Sequence, residues 1–101
     1  MATTSKALFR GAATTTLTTT LYTVPASTTA VVTNIVVTNT AASAATFDLA
    51  LNGTKLADAV AIAADSIAVI DLKQVISATQ TIAGGASAVT VNFHISGVEI
   101  V

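Results

Sequence analysis

The side chains in this sequence that could do chemistry are one histidine, four aspartates, one glutamate and many hydroxyls. His94 and Ser96 stand two apart in "VNFHISGVEI", a spacing that puts both on one face of an extended strand. Any of Asp48, Asp58, Asp65 and Asp71 could then be imagined as the third member of a hydrolytic triad. A serine nucleophile of the elbow type needs flanking glycines, and no serine here is framed that way. One histidine, no cysteine and scattered carboxylates make no metal-ligand cluster, and the acidic loop pattern that calcium requires is missing. Gly84-Gly85 is too short for a phosphate cradle and has no Lys-Ser/Thr behind it, so it is read as a turn. Asn52-Gly53-Thr54 fits the glycosylation sequon, but a hairpin turn explains the same residues. For stacking on sugars the chain offers only Tyr22 and three phenylalanines. No catalytic residue, no metal and no cofactor is therefore expected, and the chain is not expected to be an enzyme.

The bulk properties narrow the classes further. The 101 residues are 52% hydrophobic and 9% charged, with a formal net charge of -1, the reverse of a disordered composition. A near-neutral chain has no basic field with which to neutralise phosphates, so nucleic acid is not an expected partner. A membrane-spanning helix needs about 20 mostly apolar residues. Thr33 and Asn34 interrupt one candidate, and Asp58 and Asp65 interrupt the other. Lys6 and Arg10 could begin a signal peptide, yet threonines follow where leucines should stand. Neither a signal nor a membrane anchor is expected.

These residues must be positioned by strands, because β-branched residues dominate and a period of two recurs from Thr16 onward. Strands are expected over Thr16–Val24, stopped by Pro25, and over Thr28–Thr40. In the second, Val31, Ile35 and Val37 should face one way and Val32 and Val36 the other, which marks a central strand apolar on both faces. "AASAA" at 41–45 reads as a flexible connection. Thr46–Leu51 alternates, with Phe47, Leu49 and Leu51 inward and Asp48 outward. Asn52-Gly53 then signals a tight hairpin into Lys55–Ala63. "ADAVAIAAD" is rich enough in alanine to be helical, but Val60 and Ile62 continue the alternation and strand is preferred. Further strands are expected over Ile67–Leu72, entered through Asp65-Ser66, and over Val89–Val101, with a β-bulge at Gly97, while Val75–Ile82 reads as a strand or an irregular edge closed by Gly84-Gly85. Seven or eight short strands point to an all-β antiparallel sandwich, for which jelly-roll connections are one option. Residues 1–15 lack a sustained period and read as an extended N-terminal arm ahead of a sandwich domain at 16–101. Such an arm would reach on the order of 50 Å at about 3.3 Å per residue.

The surface left by this reading consists of hydroxyls, amides and methyl groups with few charges, which suits close contact with other protein. At this level the residues also carry a resemblance. "TLTTTLYTVPASTTAVVTNIVVTNTAASAATFDLALNG" and the closing "VNFHISGVEIV" resemble small virion structural proteins of tailed bacteriophages, in the "LYTVPA" turn, the strand after it, the small-residue loop, a "TFDLAL" strand and a final "GVEI" strand. The resemblance covers residues 16–101 and implies a β-sandwich protein of the phage particle. The role it implies first is a capsid decoration, or cement, protein on the outer surface of the head, made in the host cytoplasm and bridging subunits of the major capsid protein. The arm would act as a tie, with Leu8 and Phe9 in an apolar groove of the shell and Lys6 and Arg10 on acidic patches. A homo-oligomer is expected, a trimer first and a dimer second. The alternatives are a tail, neck or fibre-associated subunit, or an adhesion module for host glycans that relies on Tyr22 or His94.

Overall fold

A computed structural model describes residues 2–101. Eight strands follow one another: β1 (Thr3–Ala12), β2 (Thr20–Thr23), β3 (Thr29–Asn39), β4 (Ala45–Leu51), β5 (Thr54–Ile62), β6 (Ser66–Ile76), β7 (Thr81–Ala86) and β8 (Val91–Ile100). They form two four-stranded antiparallel sheets, ordered β1-β8-β3-β6 and β2-β7-β4-β5. The all-β sandwich expected from the strand count is thus the architecture observed.

The pairing pattern has a simple logic. β4 and β5 make a central hairpin, and β3 with β6, β2 with β7 and β1 with β8 pair outside it in succession. A long ribbon of paired strands has been rolled up, and the ladders β3·β8 and β4·β7 close it into two sheets. That is jelly-roll connectivity. The roll is elongated, 46 × 21 × 18 Å.

Local chemistry explains much of it. Asn52 (φ 49) and Gly53 (φ 79) both take positive φ, the requirement of a two-residue hairpin turn, and Leu51 faces Thr54 across it. The helical alternative for "ADAVAIAAD" does not occur: β5 is extended, and Ala59 at φ 49 marks an irregularity in its pairing with β4. The small-residue connection after β3 is organised by Asn39, only 2% exposed. Its Nδ2 donates to the Ser43 carbonyl at 2.9 Å, and its Oδ1 accepts from the Ala41 N–H at 3.1 Å and the Thr90 hydroxyl at 3.2 Å.

The core lies between the sheets. Ile35, Val37, Phe93 and Ile95 from one face Phe47, Leu49 and Ile82 from the other, all at most 1% exposed. Phe47 and Phe93 meet edge to face across the gap, with centroids 6.2 Å apart at 72°.

Several expectations need correction. The segment read as a free arm is strand β1, paired with β8 from Thr3↔Ile100 to Ala12↔Asn92. Met1, the first residue of that arm, lies outside the described residues. The register slips between Ala7 and Phe9, so consecutive residues Leu8 and Phe9 both turn inward: Leu8 is buried and Phe9 packs on the core. The segment Val75–Ile82, read as a strand or an irregular edge, is split by a turn at 77–80 into the end of β6 and the start of β7. Gly84-Gly85 lies inside β7 rather than in a turn. There the Thr14–Thr19 connection runs along the strand, and a Cβ on Gly85 would fall 2.3 Å from the Thr16 carbonyl oxygen. No bulge breaks β8 at Gly97, since Val91, Phe93, Ile95 and Gly97 are buried in unbroken alternation. The slips fall on its neighbours β1 and β3. The slip between Val32 and Asn34 changes the phase of β3, so that Val32 joins Ile35 and Val37 in the core while Val31 turns outward with Val36.

Candidate interaction surface

Cross-strand register places residues of the first sheet in rows, and alternate rows face away from the core. One outward row runs Arg10, His94, Val36, Val69 across β1, β8, β3 and β6. The next, past the irregular stretch, runs Ala7, Ser96, Asn34, Asp71, and a third runs Ser5, Val98, Val31, Val75. The face is therefore built of methyl groups, hydroxyls and amides. The apolar content rises toward β6, where Ile67, Val69 and Val75 are 68%, 64% and 66% exposed. Ile67 and Val69, beside the partly exposed Val36, make one aliphatic patch, and Val75 beside Val31 makes a second, the two separated by the Asn34–Asp71 row and Lys73. β3 is central, as its two apolar faces imply, but among the described residues nothing covers one of those faces with a further layer.

The residues expected to form a tie do not act together. Lys6, Leu8, Phe9 and Arg10 all lie on β1, but on different sides of it. Leu8 belongs to the core and Phe9 packs against it, while Arg10 lies on the outer face beside His94. Lys6 pairs with Glu99 at 3.3 Å. An apolar groove on another protein could take Leu8 and Phe9 only after β1 had left its ladder, which exposes core.

Glu99 sits at the far end of β8 and receives two partners. Tyr22 on β2, in the opposite sheet, donates its hydroxyl to Glu99 Oε2, and Lys6 approaches from β1. The Tyr22 hydrogen bond, with help from Lys6, holds the Glu99 carboxyl below the usual carboxylate range. Burial, reinforced by the adjacent carboxylate, pushes the Tyr22 phenol well above its ordinary value. The trio ties β1, β2 and β8 together across the two sheets. The sequence offers no signal for it, because the three residues are scattered along the chain and become neighbours only when the roll closes.

A second charged cluster lies on the other sheet. Asp48 points away from the core as its alternation demands, yet it is 3% exposed because β5 folds over it. Lys55 Nζ and the Ala59 N–H, the latter at 3.1 Å, donate to its two oxygens. Above all the Lys55 hydrogen bond lowers the Asp48 carboxyl and, reciprocally, raises Lys55. A cleft of about 250 Å³ opens beside it between β5 and β6, bordered by Leu56, Val75 and Gln80. Its one ionisable side chain, Lys55, is already engaged by Asp48.

His94 and Ser96 do share a face, as their spacing requires. The carboxylate in Ser96's row, Asp71, is two strands away, about 10 Å at about 4.8 Å per strand, beyond bonding reach. The aromatic residues turn inward: Phe47, Phe93 and Tyr22 are buried and Phe9 packs on the core, so none forms an open platform for a sugar. Among the described residues, no group of three or more His, Cys, Asp or Glu could hold a metal ion. The arrangement is that of a two-sheet scaffold presenting one broad face of low charge. No known protein family matches the chain, and no curated protein matches its sequence.

Proposed function

We propose that this protein is a structural component of a bacteriophage virion, a capsid decoration protein that lies on the outer surface of the head and bridges subunits of the major capsid protein. The observation that carries the reading is the outer face of the first sheet, with its aliphatic and hydroxyl side chains and, among the outward positions of its strands, only Arg10, Asp71 and Lys73 as full charges. Stable protein contact favours such a face, since desolvating charges is costly and threonine hydroxyls can be satisfied within an interface. The phage-like strand motifs at 16–53 and 91–101 supply the setting. The jelly roll is compatible with it and is no argument by itself, since one fold serves many functions. Contact is made through the folded sheet and not through a loose arm.

The test is to mix purified protein with purified heads that lack it, and to follow co-sedimentation and heat resistance. The wild type should bind and raise the temperature at which heads release DNA. Val36→Asp, at the middle of the outer face, should weaken binding at least about tenfold, consistent with a charge desolvated in an interface. Absence of wild-type binding, or undiminished binding by a folded V36D protein, would sink the reading. Imaging of labelled particles distinguishes the head from a tail, neck or fibre position.

A further inference from the structure

Strand β6 is a free edge of the first sheet. It ladders with β3 on one side and, among the described residues, with no strand on the other. It is 11 residues long, and its outward side chains Ile67, Val69, Asp71, Lys73 and Val75 are all exposed. An edge of this length and apolarity is a template for another strand unless charges, proline or a covering segment blunt it. β6 has no proline, and its two charges are of opposite sign on one face, two residues apart; its ladder with β3 slips between Asp71 and Gln74, yet the outward positions Ile67, Val69, Asp71, Lys73 and Val75 keep their alternation through the slip.

The order of those residues selects a partner. When a strand pairs antiparallel with its own copy about a twofold axis normal to the sheet, opposing residues must share a face. The central stretch "VIDLKQV", residues 69–75, then admits few registers. Centred on Leu72, Asp71 of each copy faces Lys73 of the other, and Val69 faces Val75, each pairing occurring twice. Centred on Asp71 or on Lys73, like charges meet on the axis. Centred on Ile70, both charges face aliphatic residues. Opposite charges and β-branched pairs directly across a ladder stabilise it, while like charges destabilise it. One register therefore satisfies every outward side chain from Val69 to Val75.

We propose that β6 is a self-recognition edge. Two copies of this chain join antiparallel through β6, centred on Leu72, into a continuous eight-stranded sheet whose outer faces merge into one surface. This goes beyond the virion reading and does not depend on it.

A charge-swap series tests it on the full-length protein, with mass measured by light scattering and sedimentation equilibrium. The wild type should be a dimer. Asp71→Lys and Lys73→Asp each create two like-charge contacts and should weaken the dimer about tenfold or more, toward monomer. The double variant D71K/K73D restores opposite charges at both contacts and should recover the dimer. Both side chains are exposed, so circular dichroism should show all four proteins folded. A wild-type monomer, a trimer, or a dimer indifferent to either single reversal would overturn the proposal. Failure of the double swap to rescue would overturn this register.

Discussion

Leu8→Ala asks whether residues 3–12 are part of the sandwich or a tether beside it. Leu8 is 7% exposed, turned inward by the register slip on β1, and packed near Gly97 and the core. Truncating a buried leucine removes the transfer free energy of its outer carbons and leaves a cavity, together about 2–5 kcal/mol. β1 is an edge strand and can settle partly into the space, which places the loss near the low end, about 2–3 kcal/mol. For a domain of 101 residues each kcal/mol moves Tm by about 4–8 °C, so the midpoint should fall by about 10–20 °C. Differential scanning calorimetry with a parallel urea titration measures it. Arg10→Ala, on the exposed side of the same strand, should change stability by no more than about 0.5 kcal/mol. A Tm shift below about 3 °C for L8A would refute the reasoning, because a Leu8 that contributes so little stability is not a core residue.

Two further predictions concern the turn and the buried charges. Gly53→Ala forces a side chain into φ 79, so the hairpin should lose about 1–2 kcal/mol in chemical denaturation, although space is open around the new methyl. Stability should also fall at both ends of the pH range. Asp48 and Glu99 titrate below the usual carboxylate range when folded, so their contribution is present above about pH 4 and is lost as pH falls through the folded values. Tyr22 and Lys55 are raised when folded, so theirs is present below about pH 10 and is lost as pH climbs further. Tyr22→Phe should lower Tm at neutral pH and make the alkaline decline shallower. An unchanged alkaline slope in Y22F would show that Tyr22 does not drive it.

Much of this molecule is written locally. The alternation of 46–51, the Pro25 stop and the Asn52-Gly53 turn are set by contacts within a few residues, and each occurs where the sequence places it. The same local information puts His94 and Ser96 on one face and makes β3 central. Other features depend on partners far along the chain. Residues 3–12 show no period because β1 is shaped by β8, about ninety residues away, and a slip between the two turns Leu8 and Phe9 to one side. Asp48 looks solvent-facing by alternation and becomes buried only when β5 folds its Ala59 N–H and Lys55 over it. Gly84-Gly85 resembles a turn until the Thr14–Thr19 connection is laid against it. Strand propensity and period report only which segments extend and which side is apolar. Which strands neighbour one another, where ladders slip and which apolar face is left open are settled by closing the roll, since those depend on non-local hydrogen bonds and on filling one shared core.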